Sequence, residues 1–156
     1  MGRASGALPL ASFFLLALAA PAAMAKGQLQ VGTTLIELPA GAKATHFSLL
    51  NTGDEPLSAQ VRVYAWVQAD GDDRLAPTRA LVLSPPISTI AAHGEQVIRV
   101  IASALPGGQR DATYRVVVDE LPGKEAAPGR IEFRMRYVVP LYARASTATA
   151  PALDCR

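Results

Sequence analysis

The stretch Arg130-Ile131-Glu132-Phe133-Arg134-Met135-Arg136-Tyr137-Val138-Val139-Pro140-Leu141-Tyr142-Ala143-Arg144 decides how this chain is read. Ile131, Phe133, Met135 and Tyr137 alternate with Glu132, Arg134 and Arg136. A period of two is the signature of a strand with one apolar and one wet face. Residues 130–144 are also the last strand the sequence offers. In an antiparallel fold a last strand is often an edge, and an edge with an apolar row can pair with another chain. The plain alternative is that Ile131, Phe133 and Met135 point into their own core. Periodicity alone does not separate the two.

Working outward, the preceding segments show the same short-strand pattern. Tyr114 to Leu121 is a strand closed by Pro122-Gly123, and Gln96 to Ile101 another, entered through a His93-Gly94 turn in which Gly94 is available for a positive φ. Leu81-Val82-Leu83 is stopped by Ser84-Pro85-Pro86, whose prolines remove two backbone donors. Asp70-Gly71-Asp72-Asp73 is a polar turn; it lacks the alternating ligands and distal Glu of a calcium loop. Ala59, Val61, Val63, Ala65 and Val67 share one parity of a central strand, with Tyr64 and Trp66 on the other. Asn51 to Pro56 is a turn cluster, Ala44 to Leu50 a strand around Phe47 and Leu49, and Gln28 to Leu38 a first strand bent near Gly32, broken by Pro39-Ala40-Gly41. No segment carries a helical stripe. Seven or eight short strands between Gly, Pro, Asn and Asp turns predict an all-β, immunoglobulin-like sandwich of about seven strands.

The ends read differently. Arg3 followed by an apolar run from Leu10 to Ala20, and then Ala23-Met24-Ala25, forms a secretory leader over 1–25. The domain is expected over 26–145, and 146–156 is a small, polar tail expected to be disordered. No second long apolar run predicts a membrane span. With Arg3 removed, fourteen Lys and Arg face thirteen Asp and Glu, which excludes a nucleic-acid partner held by a basic field. Cys155 is the single cysteine, so no internal disulfide forms, although this thiol is a candidate for linking two chains. His46 and His93 stand in no catalytic motif, and two histidines with a distant cysteine do not make a zinc site. Binding without metal or cofactor is therefore the expected class of function, and an enzyme is not.

Several pieces now align in order: Ser84-Pro85-Pro86, Gly94-Glu95-Gln96-Val97-Ile98-Arg99, Tyr114-Arg115, and Glu120-Leu121-Pro122. Together they resemble the N-terminal, PapD-like domain of periplasmic fimbrial chaperones of the chaperone–usher pathway, over nearly all of residues 28–144. The ending Tyr137-Val138-Val139-Pro140-Leu141-Tyr142 is similar to the archaic, spore-coat-U-associated branch. The resemblance implies a periplasmic protein whose last strand lends alternating apolar residues, here Ile131, Phe133, Met135 and Tyr137, to a pilus subunit that lacks a strand, before delivery to an outer-membrane usher. It also implies a basic anchor for the subunit's terminal carboxylate. The aligned positions fall near Thr34 or Leu35 and on Pro140, none of them basic, which leaves Thr34 as a hydrogen-bond donor and Arg99 or Arg136 as substitutes. Asp111 and Arg144 align with positions that pair two domains, whereas the sequence ends where a second domain would begin. A lone secreted immunoglobulin-like module, structural or adhesive, is the alternative.

Overall fold

The computed structural model describes residue 2 and residues 28–104, 111–123 and 133–145. The expected leader (Gly2 apart), the tail with Cys155, and Ile131 with Glu132 lie outside the described residues.

Ten strands are present among the described residues. The first predicted strand is two: β1 (Leu29–Val31) and β2 (Ile36–Leu38), separated by Gly32–Leu35 and placed in opposite sheets. β3 (Ala44–Asn51) and β4 (Leu57–Ala69) follow. β4 turns into β5 (Asp72–Pro77) through Asp70 and Gly71, whose φ values of 57° and 86° define a two-residue hairpin turn of the type that matches strand twist. β6 (Leu81–Ser84) ends at a cis Ser84–Pro85 bond, and β7 (Ile87–Ile90) resumes in the other sheet. β8 (Glu95–Ala102), β9 (Ala112–Glu120) and β10 (Arg136–Ala143) complete the chain.

A four-stranded sheet in the order β1-β3-β8-β6 faces a six-stranded sheet in the order β2-β10-β9-β4-β5, with β7 also pairing β4. Leu49, Phe47, Ile98 and Val100 from the first meet Val61, Val116, Val118, Val139 and Leu141 from the second in one core. Each such side chain contributes about 1.5–3 kcal/mol by leaving water. The two-sheet β-sandwich predicted from the turn pattern is thus the fold observed.

Three local expectations are corrected. Val67 shares the inward parity of β4 yet is exposed, in the stretch of β4 that pairs with the wholly exposed β5. In the turn Ala91–Gly94 the left-handed residue is His93, at φ 55°, and not Gly94. Gly94 is required for a different reason: a Cβ there would stand 2.9 Å from the Ala91 carbonyl oxygen, which accepts the Gly94 N–H. Residues 133–135 also stand outside the ladder, so β10 starts at Arg136, while the part of the predicted strand before residue 133 lies outside the described residues. β9 ends at Glu120, and Pro122 follows, so the neighbour that would extend the ladder stops there.

Candidate functional site

The start of β10 is built by its two neighbours in unequal measure. β9 pairs antiparallel with it along its whole length, from Arg136↔Asp119 to Ala143↔Ala112. β2 pairs parallel with it only at Leu141, Tyr142 and Ala143. β10 is therefore not an edge throughout, as a last strand was expected to be. Its edge from Arg136 to Pro140 has no ladder partner among the described residues, and it closes where β2 begins. Pro140, which cannot donate to a ladder, sits at the end of this open segment, a position proline tolerates. Thr34 and Leu35, both exposed, immediately precede β2 at the same end.

Along β10 the odd positions face the core. Val139, Leu141 and Ala143 are buried, and Tyr137 packs against the core while its hydroxyl donates to the Leu29 carbonyl at 2.7 Å. Met135 continues this row half-buried against the core. Its carbonyl accepts the Glu120 N–H at 2.9 Å and its own N–H reaches the Glu120 carboxylate at 3.2 Å, so the chain is still held beside β9. Phe133 is next in the row and is 75% exposed, the most exposed of the large hydrophobic residues described. The inward row has run beyond the end of its own core. An exposed phenylalanine in line with a buried row forgoes about 1.5–3 kcal/mol that burial would supply. Tyr137, placed by sequence in the same set as Phe133, is committed to its own fold by the Leu29 bond.

On the outward face, register sets Gln60, Asp119 and Arg136 side by side across β4, β9 and β10. Asp119 is buried, and the guanidinium groups of Arg62 and Arg136 donate to its two oxygens. Burial alone would raise this carboxyl; the bonds from Arg136 and then Arg62 outweigh it and hold Asp119 below its ordinary range. Arg136 remains largely exposed at the open edge. Arg99 is exposed on the outer face of the other sheet, opposite His46 and Ser84, remote from β10 in the sheet order. The structure therefore brings Phe133, Met135, Arg136 and Tyr137 to one edge, with Thr34 at its end, and sets Arg99 apart.

Asp111 and Arg144 are brought together at the far end of β10. Arg144 donates to Asp111 at 2.7 Å and also pairs with Glu37, while the Ala145 N–H donates to Asp111 at 2.9 Å. This knot ties the ends of β2, β9 and β10. Sequence reasoning had no signal for the Arg62–Asp119–Arg136 cluster, which depends on register across three strands.

A family model described as "Pili and flagellar-assembly chaperone, PapD N-terminal domain" matches residues 28–147. Among solved structures, the chaperone–tip subunit pre-assembly complex of CsuC and CsuE from archaic Csu pili of Acinetobacter baumannii is similar at 30% identity and a TM-score of 0.67, covering 75% of this chain and 51% of that one. The Salmonella enterica SafA pilin–SafB chaperone complex is similar at 20% identity and TM-score 0.62, over 78% and 56% of the two chains. The periplasmic chaperone SfaE is similar at 20% identity and TM-score 0.61, over 79% and 60%. This chain thus spans between about half and three fifths of the length of these structures. A comparison with the curated proteins finds no significant match.

Proposed function

This chain belongs to the pili and flagellar-assembly chaperones through their PapD N-terminal domain, and we propose that it binds a fimbrial subunit in the periplasm by strand donation and passes it to an outer-membrane usher. The role is one of binding and not of catalysis. The observation that carries the reading is Phe133: it lies on the core-facing parity of β10, beyond the core, and is 75% exposed beside a strand edge that has no ladder partner among the described residues. An edge of free N–H and C=O groups supplies ladder bonds to an incoming strand, and the row Phe133–Met135 supplies apolar contact. The chaperone–subunit complexes among the similar structures make a pilus subunit the fitting partner class.

The test is co-expression with a pilus subunit whose fold lacks a strand, followed by co-purification. Phe133→Ala should leave the thermal midpoint nearly unchanged, since an exposed side chain is removed, and should abolish capture. Leu75→Ala, which removes another exposed apolar side chain on β5, should leave capture intact. A Phe133→Ala protein that captures normally would return the chain to the lone immunoglobulin-like module.

A further inference from the structure

We infer that Tyr137 is a positioning residue for strand docking: its hydroxyl ties the free edge of β1 to the open segment Arg136–Pro140 of β10 and holds the two in place. The inference rests on the strand-docking reading above and adds how the edge is set before a partner arrives. The register of the β2–β10 pair shows why the segment is open. Leu141 lies beside Ile36, so a β2 continued backwards would set residues 31–35 beside residues 136–140. Those residues instead leave the six-stranded sheet. Val31 ends β1 in the opposing sheet, and the Thr33 hydroxyl closes a local turn by donating to the Leu35 carbonyl at 2.7 Å. Over Arg136–Pro140, β10 is therefore laddered on its β9 side alone among the described residues, and Tyr137 joins it to the strand that left.

The bond is aimed at an edge group. The Gln28 carbonyl accepts the Thr52 N–H at 2.8 Å, and the Gly32 N–H donates to the Ser48 carbonyl at 2.9 Å, so even-numbered residues here turn their main-chain groups toward β3. Alternation then points the Leu29 carbonyl away from β3, to the free edge of β1. There the Tyr137 hydroxyl donates to it at 2.7 Å. On β10 the Met135 carbonyl accepts the Glu120 N–H, so the main-chain groups of Arg136 and Val138 point to the open side. The phenol thus spans two edges that have no ladder partner among the described residues. Its place in the row matters too. Val139 and Leu141 are buried after it, whereas Met135 is half-buried and Phe133 exposed before it. Tyr137 is where the inward row passes from core to docking surface. Removing its hydroxyl leaves the ring packed but loosens β1 and the edge together, and an incoming strand must then order both at the expense of its own affinity.

The test is a competition. A strand-deficient pilus subunit is co-expressed with equal amounts of wild-type and variant chain carrying different tags, and the captured ratio is read. Tyr137→Phe should capture about threefold to tenfold less than wild type, the weight of one hydrogen bond. Exchange of the Gly32 and Thr52 amides, which hold β1 beside β3, should quicken in the same variant. Val100→Ala opens a cavity in the core on β8, two strands from β1. It should lower the thermal midpoint further than Tyr137→Phe and yet capture near parity. Parity for Tyr137→Phe, with Phe133→Ala still failing to capture, overturns the inference and leaves strand docking in place. So does a loss for Tyr137→Phe no larger than that of Val100→Ala, or a midpoint as low, since the bond is then an ordinary fold contact. Weakened capture with Gly32 and Thr52 exchanging as in wild type also overturns it. Capture by Phe133→Ala at parity overturns both readings.

Discussion

Asn51 is a buried polar side chain whose amide nitrogen donates to the carbonyls of Glu55, Ile90 and Ala91, while its oxygen accepts the Gly53 N–H. It ties the end of β3 to the turn after β7. Replacing it with Ala removes all four of these bonds, although the Ala91 carbonyl still accepts the Gly94 N–H, and should cost about 2–4 kcal/mol, read as a lowered thermal midpoint; an unchanged midpoint would mean that water replaces the side chain. Asp119 gives a second prediction, in acid. Burial opposes its charge, yet the bonds from Arg136 and Arg62 depress its folded pKa below the ordinary 3.8. A depressed carboxyl contributes stability that is present above its unfolded pKa and lost as pH falls toward the folded one. The wild-type midpoint should thus drop on acidification below about pH 4, and Asp119→Asn should lose less over that range. Equal acid sensitivity in both would assign the loss elsewhere, with Asp111, lowered by the Ala145 N–H and Arg144, the next carboxyl to replace. The sequence marked Asn51 only as a turn former and assigned Asp119 no partner beyond showing that adjacent Glu120 faces the other way, because both roles arise from partners far along the chain. Phe133 was legible as one of an alternating set, but its exposure depends on where β9 stops.

Among the elements, β3, β4 and β8 were legible because their burial alternates with their sequence, and β9 because a run of valines bounded by Pro122-Gly123 reads as a strand buried on both faces. β5 was missed because every one of its residues is exposed, so it has no apolar stripe to read. The signal that could have found it is Asp70-Gly71, a pair suited to positive φ at both central positions. Gly71→Val puts a β-branched residue at φ 86°, where the added Cβ meets no atom within 4 Å, so the strain is purely conformational. It should destabilise the β4–β5 hairpin by about 1–2 kcal/mol, seen as faster hydrogen exchange in β5, and leave subunit capture unchanged. Lost capture would bring this hairpin into the binding surface. β7 and the splitting of β1 from β2 escaped for another reason: each follows a point where the chain changes sheets, and periodicity does not show which sheet a segment joins. The open edge of β10 is a product of that split, since β2 covers only Leu141–Ala143.

At the scale of the molecule, the edges are unequal. β5 carries Asp72, Asp73 and Arg74 and ends in Pro77, features that blunt an edge against pairing. β6 is short and ends against Pro85, and β1 is shorter still. Arg136–Pro140, with Met135 and Phe133 before it, is the described edge that combines an apolar row with free ladder positions. The sandwich itself was legible from turn spacing, whereas this asymmetry needed the strand order. Hydrogen exchange of the chain with and without a bound, strand-deficient pilus subunit tests the central claim most directly. The account predicts strong new protection of backbone amides within residues 133–139, with the amides of β5 unchanged. Protection on β5 or on the four-stranded sheet, with residues 133–139 exchanging as in the free chain, would contradict it.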